Sequence, residues 1–341
     1  MANIKDIAEK CGLSVSTVSK ALNNYSDISE ATRRRVVEVA ESYGYFPNSF
    51  ARALKINRTH NIGVLFADEA HSGLKQEYFA AVLDAFKTEA EKNSYDITFI
   101  NHNINLRTHP MTYLEHCRYR NFDGVCIACV DFYQSEVLEL MNSSIPVVTI
   151  DHIFNNHTSI NSANVDGMKD LVEYINKMGH RKIAYIYGKK SDVTEQRLTS
   201  FCRTMRSLGN EVPKEYLLLS AYRDVGTTKK CTERLLQLPD PPTCIIMPDD
   251  YAALGGIEAI EYAGLKIPDD VSIAGYDGIP LSQMLRPQLT TVKQDTEKMG
   301  REAARRLIEQ IESPMTTIVE NITVKGKLLE GKSVKSIPVR D

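Results

Sequence analysis

At 341 residues the chain is too long for one ordinary core, so two or three domains are expected. Apolar content of 43% and charged content of 25% suit globular protein, and no apolar run reaches the roughly 18–20 residues of a bilayer-crossing helix, which excludes a helical membrane protein. The net charge of −3 is uneven: residues 1–60 hold nine Lys/Arg against six Asp/Glu, the other 281 hold 32 against 38, and a head of +3 on a body of −6 suits a polyanionic partner.

Lys5, Asp6, Glu9 and Lys10 interrupt any apolar leader, so the cytoplasm is the expected location. In the first helix, Ile4, Ile7, Ala8 and Cys11 fall at i, i+3, i+4 and i+7, and Gly12 ends the stripe. Ser14 can cap a second helix, with Val18, Ala21 and Leu22 inside and Ser16, Ser19, Lys20 and Asn23 outside. Ser29 can cap a third, burying Val36, Val39, Ala40 and Tyr43, with Gly44 as the C′ residue. Three short helices with a tight turn between the first two fit a helix-turn-helix unit.

The outer face of the second helix carries short hydroxyls where globular proteins place long charged chains. A helix entering the DNA major groove needs such a thin face. Ser and Thr can bond bases or phosphates, Val15 can touch a thymine methyl, and Lys20 can reach guanine or phosphate. The ordinary alternative is a three-helix bundle with a Ser-rich surface. Both remain open on pattern alone.

In "YFPNSFARALKINRTHN", Pro47 blocks helix continuation and Asn48 can cap a brief segment to about Lys55. That segment is too short to be stable alone. It is either a plain linker or a tether that orders on DNA, where Leu54 would act as an apolar wedge.

From residue 61 strand and helix patterns alternate. "NIGVLFAD", "DITFIN", "GVCIACV" and "PVVTID" read as strands, followed by "KIAYIYG", "TCIIMPD" and "VSIAGYD", with a helix over about 75–93. Two such runs predict an α/β body of two doubly wound parallel-sheet lobes. Ligands in such folds sit at strand carboxyl ends, where Asp68, Asp131, Asp151, Asp249 and Asp277 fall. Each is equally a helix cap or turn residue. The seven cysteines are an odd set, and Cys126 and Cys129 read as buried strand thiols on opposite faces rather than a zinc or redox pair.

Enzyme and cofactor signatures are missing: there is no G-x-G-x-x-G, G-x-x-x-x-G-K, G-x-S-x-G or H-E-x-x-H. His109, His116 and Cys117 read as a surface helix, and His152 and His157 as loop residues, so no metal or cofactor is expected. An α/β enzyme acting on a sugar and a pure ligand-binding receptor are the competing readings. The first lacks a nucleophile and the second does not explain the head.

The motifs "IKDIAEKCGLSVSTVSKALN", "YFPNSFARALKINRTHNIGVL", "MGHRKIAYIYG", "IPDDVSIAGYD" and "LTTVKQDTEKMG" resemble the lactose repressor/galactose repressor (LacI/GalR) family of bacterial transcription regulators over essentially the whole chain. The resemblance implies a helix-turn-helix head (1–47), a hinge helix and linker (48–60) and an effector-binding, dimerising body (61–341) similar to periplasmic sugar-binding proteins. Lobe 1 would span about 61–161 plus 293–325 and lobe 2 about 162–292, with the chain finishing on the first lobe. It places Val15, Ser16, Thr17 and Lys20 near bases and Ser14, Ser19 and Asn23 near phosphates. It places Leu54 at the central base step, with Ala51 and Lys55 beside it. In the effector cleft it implies Arg197, Asp151, Asp249 and Asp277. The stacking aromatic falls at Tyr222, where the spacing departs from the family, and Tyr78 and Phe79 follow a longer loop. A homodimer on a pseudo-palindromic operator, answering to a small molecule of sugar type, is the function implied.

Overall fold

The computed structural model describes residues 2–46, 58–67, 73–101 and 110–338. Ala51, Leu54, Lys55, Asp68 and His109 lie outside the described residues. The chain separates into two compact units, Met1–Asn61 and Ile62–Asp341.

The first unit holds helices α1 (Ile4–Cys11), α2 (Val15–Leu22) and α3 (Glu30–Ser42). Asn3 and Asp6 form a capping box at the start of α1, so the first orphan N–H groups are satisfied before the helix begins. Gly12 then adopts φ +61, the left-handed conformation that lets the chain turn sharply. Ser14 and Ser29 cap α2 and α3 by accepting from Thr17 N and Thr32 N. Ile7, Ala8, Cys11, Val18, Ala21, Val36 and Ala40 fuse into one core. Tyr43, expected inside, is 44% exposed because it is the cap residue, where the helical stripe has already ended.

Among the described residues the second unit contains two large sheets and a two-stranded antiparallel one. The first runs β11-β5-β4-β3-β1-β2, built from β1 (Asn61–Phe66), β2 (Asp96–Phe99), β3 (Gly124–Ala128), β4 (Val147–Ile150), β5 (Thr158–Ser162) and β11 (Asn321–Val324). The registered pairs from β1 through β11 are parallel. The second runs β7-β6-β8-β9, all parallel, from β6 (Ile183–Tyr187), β7 (Leu217–Leu219), β8 (Cys244–Ile246) and β9 (Ser272–Ala274).

Side-chain alternation makes each sheet two-faced. In β3, Cys126 and Ala128 enter the core that faces helices α4 (Glu77–Lys92) and α12 (Thr296–Glu312), while Val125 and Ile127 enter the core facing α5 (Tyr113–Arg120) and α6 (Ser135–Met141). In β6, Ile183 and Tyr185 face α7 (Asn164–Lys177) and α8 (Asp192–Ser207), and Ala184 and Ile186 face α9 (Val225–Leu236) and α10 (Ala253–Tyr262). This is the doubly wound arrangement the strand patterns predict.

Gly300 of α12 lies against α4 so closely that an added Cβ would sit 2.1 Å from the Val82 carbonyl oxygen and 2.7 Å from Phe86 N. Backbone cannot yield as a flexible side chain can. Gly300→Ala should therefore destabilise the body by about 1–3 kcal/mol or more, read as a lower urea midpoint for the second unit.

Three local readings differ from the sequence. Cys129 is not on the strand: it follows β3 with φ +55, is partly exposed, and its Sγ donates to Gln76 Oε1 at 3.5 Å. His116 and Cys117 are buried, not on a surface, because that face of α5 packs on the first sheet; His116 Nδ1 lies 3.2 Å from Asn101 O. The last described residues lie on the second lobe, where the first was expected. After β11, β12 (Lys327–Leu329) pairs antiparallel with β10 (Thr291–Lys293), Ser333 Oγ donates to Ile273 O at 2.7 Å, and Ile337 N donates to Met178 O at 2.8 Å. Val334 is buried in the second lobe's core, which gives this tail its apolar anchor.

Candidate effector site and nucleic-acid interface

On the head, Val15 and Ser16 point outward at the start of α2, Val15 being 40% exposed. Ser14 is used locally: its Oγ accepts Thr17 N at 3.0 Å and lies 2.8 Å from Thr17 Oγ1. Asn23 Nδ2 donates to Ser19 O at 2.7 Å, and Lys20 Nζ pairs with Asp27. Both Lys20 and Asp27 are well exposed, so exchanging that pair for a base or phosphate costs little. Four positions expected to meet DNA directly (Val15, Ser16, Thr17 and Lys20) thus share one short helix of thin outer profile.

The body's site forms where strand carboxyl ends of the two sheets face each other. From the first lobe, Tyr78 Oη donates to Asp151 Oδ2 at 2.7 Å and lies 3.1 Å from Ser162 Oγ, and Ser162 N donates to Asp151 Oδ1 at 2.7 Å. Asp151 takes a φ of +56 at the end of β4, which turns its carboxylate back over β5. From the second lobe, Arg197 is 3% exposed on α8. Its Nε donates to Asn164 Oδ1 at 2.8 Å, its Nη2 lies 3.5 Å from Asp277 Oδ1, and its guanidinium carbon sits 3.6 Å from the Tyr276 ring centroid. Gln294 Nε2 also donates to Asp277 Oδ1, at 2.7 Å.

Tyr222 lies with its ring centroid 5.8 Å from the Arg197 guanidinium, and its Oη lies 2.9 Å from Thr194 Oγ1. The Cβ that Gly188 lacks would fall 2.4 Å from the Tyr222 ring, so the glycine after β6 makes room for it. Asp249 is 2% exposed and holds the loop above β8, accepting Ala252 N at 2.8 Å and Arg223 N at 2.6 Å. Phe79 is half-buried beside Tyr78, edge-on to the Phe66 ring at 5.7 Å and to the Tyr78 ring at 4.9 Å. Asp131 serves a turn, accepting Tyr133 N at 2.9 Å.

The two halves feel each other. Burial pushes the Tyr78 hydroxyl well above its ordinary value, and Asp151 and Asp277 add to the rise. Burial likewise raises the Asp277 carboxyl, against the pull of Arg197 and Gln294, and Asp151 adds to it. Asp249 is pushed up to about 6, first by burial and then by Asp277. Carboxylates from two lobes thus crowd one poorly solvated space.

Asn164, Tyr276 and Gln294 escape the sequence reading. Tyr276 sits beside Asp277 in "GYD" and Gln294 in "VKQD", so the signal is their place next to strand-end residues. Asp250 is fully buried in a structural role: it accepts Ile279 N at 2.9 Å and Thr291 Oγ1 at 2.6 Å.

At the cleft's rim His152 Nδ1, from the first lobe, lies 2.8 Å from Asp192 Oδ2 at the start of α8 in the second. Its ring stacks on Phe132 at 3.9 Å. Burial lowers the His152 pKa, and Asp192 opposes this. The imidazole is therefore neutral at pH 7 and donates to a carboxylate. A depressed histidine stabilises the contact fully above its unfolded value of about 6.5, and that contribution fades as pH falls through the folded value. Asp192→Asn should lower the His152 titration midpoint further; an NMR titration showing a rise would contradict the geometry.

A three-helix head and a two-lobed body with a charged cleft define a class: a DNA-binding regulator joined to a ligand-binding module. Residues 3–48 match the model "Bacterial regulatory proteins, lacI family", and 172–334 match "Periplasmic binding protein-like domain". The chain is 31% identical to the "Probable HTH-type transcriptional repressor ExuR" of Bacillus subtilis (strain 168), over 94% of this chain and 96% of that one. The lac repressor dimer bound to operator and the anti-inducer ONPF superposes with a TM-score of 0.81 at 23% identity, covering 98% of this chain and 99% of that one. The transcriptional regulator CelR–cellobiose complex superposes with a TM-score of 0.70 at 20% identity, covering 98% and 100%. The chain belongs to the LacI family. It is a transcriptional regulator, not an enzyme, and among its described residues no helix is long and apolar enough to cross a membrane.

Proposed function

We propose that the protein is a cytoplasmic repressor that binds a pseudo-palindromic operator as a homodimer and responds to a small-molecule effector, of sugar type, held between its two lobes. The observation that carries the reading is that the Tyr78–Asp151 pair of one lobe lies near enough to the Arg197, Asp277 and Tyr276 group of the other for their charges to act on each other. A group that closes on such a set pulls the lobes together. Asp151, Arg197, Asp277, Asp249, Tyr222, Tyr78 and Phe79 are the contacts expected to hold it.

Val15, Ser16, Thr17 and Lys20 read base edges from the major groove. Ser14, Ser19 and Asn23 reach phosphates. Residues 48–60 act as the hinge, with Leu54 in the central base step between Ala51 and Lys55. Two heads meet half-sites about one helical turn, or ~34 Å, apart. Phosphate contacts supply much of the affinity, so binding falls steeply with salt. The domains are the head (1–47), the hinge (48–60) and the body (61–341), and cleft closure biases hinge folding. No cofactor or metal takes part. The effector site and the DNA-reading surface are distinct, so whatever factor the effector applies to operator affinity, the operator applies equally to effector affinity.

The test is a mobility-shift titration on a symmetric site selected from random duplexes, with and without sugars and their derivatives. A ligand that moves the operator midpoint at least fivefold supports the reading. Identical midpoints with every compound that binds the protein would refute the linkage.

A further inference from the structure

Resting on the effector reading above, we propose that the ligand carries an anionic group, a carboxylate or a phosphate, and that Arg223 is the residue that selects it. The cleft holds two arginines in different states. Arg197 is neutralised internally by Asp277, bonded to Asn164, and covered by Tyr276. Arg223 is not. Among the described residues its guanidinium meets no carboxylate. Its Nε is buried without a hydrogen-bond partner, and its Nη2 makes one long contact, 3.4 Å, to Lys75 O of the opposite lobe.

The position is built, not incidental. Arg223 holds a φ of +60, a left-handed conformation that a residue with a long side chain adopts at a cost. The backbone is fixed there because Arg223 N donates to Asp249 Oδ2. The guanidinium is then laid over the Tyr251 ring, 4.2 Å from its centroid, and Tyr251 packs against the first lobe's core. Asp249 is the carboxylate closest in bonding, yet it spends that oxygen on the backbone N–H, while Ala252 N takes the other.

The remaining cleft carboxylates are also engaged. Both Asp151 oxygens accept from protein donors, and Asp277 is shared by Arg197 and Gln294. A buried guanidinium N–H with no acceptor is unfavourable, and an arginine fork bonds a carboxylate or phosphate through two parallel contacts. A ligand anion would meet Nε and one Nη together and displace the weak Lys75 contact. Tyr251 would keep the fork in plane.

The experiment is calorimetric titration of the full chain with matched sets: D-glucose, D-glucuronate and D-glucose 6-phosphate, then D-galactose, D-galacturonate and D-galactose 6-phosphate. Wild type, Arg223→Gln and Arg223→Lys are compared, each checked for an unchanged thermal transition of the body. An anionic member should bind about 100-fold tighter than its neutral parent. Arg223→Gln should bring it to the parent's level and Arg223→Lys should recover part. The winning arm tells a carboxylate from a phosphate. If neutral sugars bind best, or Arg223→Gln weakens neutral and charged ligands alike, Arg223 is only a strut between lobes and the inference falls while the effector reading stands. If no member of either class binds, both fall.

Discussion

Arg197→Ala should abolish the ligand response and destabilise the body by about 3–5 kcal/mol, the loss expected when one partner of a buried ion pair is removed. Among the described residues Asp277 would keep the Gln294 amide as its side-chain donor, in a site where burial already raises its pKa. Asn164 Oδ1 would lose its donor, and Tyr276 the cation on its face. Chemical denaturation with a far-UV readout measures the first effect and calorimetry the second. Arg197→Ala with Asp277→Asn should be more stable than the single variant, because the orphaned charge is gone. Operator binding by the head should persist at low temperature and low salt. A single variant as stable as wild type would mean that Asp277 is satisfied elsewhere.

Val18→Asp should eliminate operator binding while leaving the body's thermal transition in place. Val18 is fully buried in the one core that the head's described residues form. Placing a carboxylate there costs several kcal/mol, and a core of this size supplies about 3–5 kcal/mol at most. No reserve remains, so the head unfolds. The unit that carries the ligand cleft has its own cores and should melt as before. Loss of both transitions together would show that the units are not independent.

Much of this architecture is written in local pattern. Val125, Cys126, Ile127 and Ala128 alternate between two cores, and a run apolar on both sides announces a strand covered on both faces. Ser14, Ser29 and Gly12 act where capping chemistry places them. Asp151, Arg197, Asp249 and Asp277 were reachable because strand ends and motif register locate them. The rest was not, because it depends on pairs far apart in the chain. His152 meets Asp192, and Arg223 meets Lys75, through sheet packing that no periodicity records. His116 looked solvated among polar neighbours, yet its face of α5 is the one turned inward. Tyr78 and Phe79 are adjacent and both pack on the first lobe's core, but the Tyr78 hydroxyl goes on to meet Asp151, 73 residues away in the chain. The tail's return to the second lobe rests on the β10–β12 pairing, which a half-buried strand of three residues such as "KLL" is too short to signal.

The most direct measurement is the ratio of affinities for a selected symmetric operator and a shuffled duplex of equal length, by fluorescence anisotropy at 0.1–0.15 M salt. The account predicts a ratio of about 10³ or more, with Val15, Ser16 and Thr17 replaced together by alanine reducing it severalfold or more and leaving the shuffled duplex nearly untouched. Equal affinity for both duplexes, or a triple variant that keeps the full ratio, would contradict it.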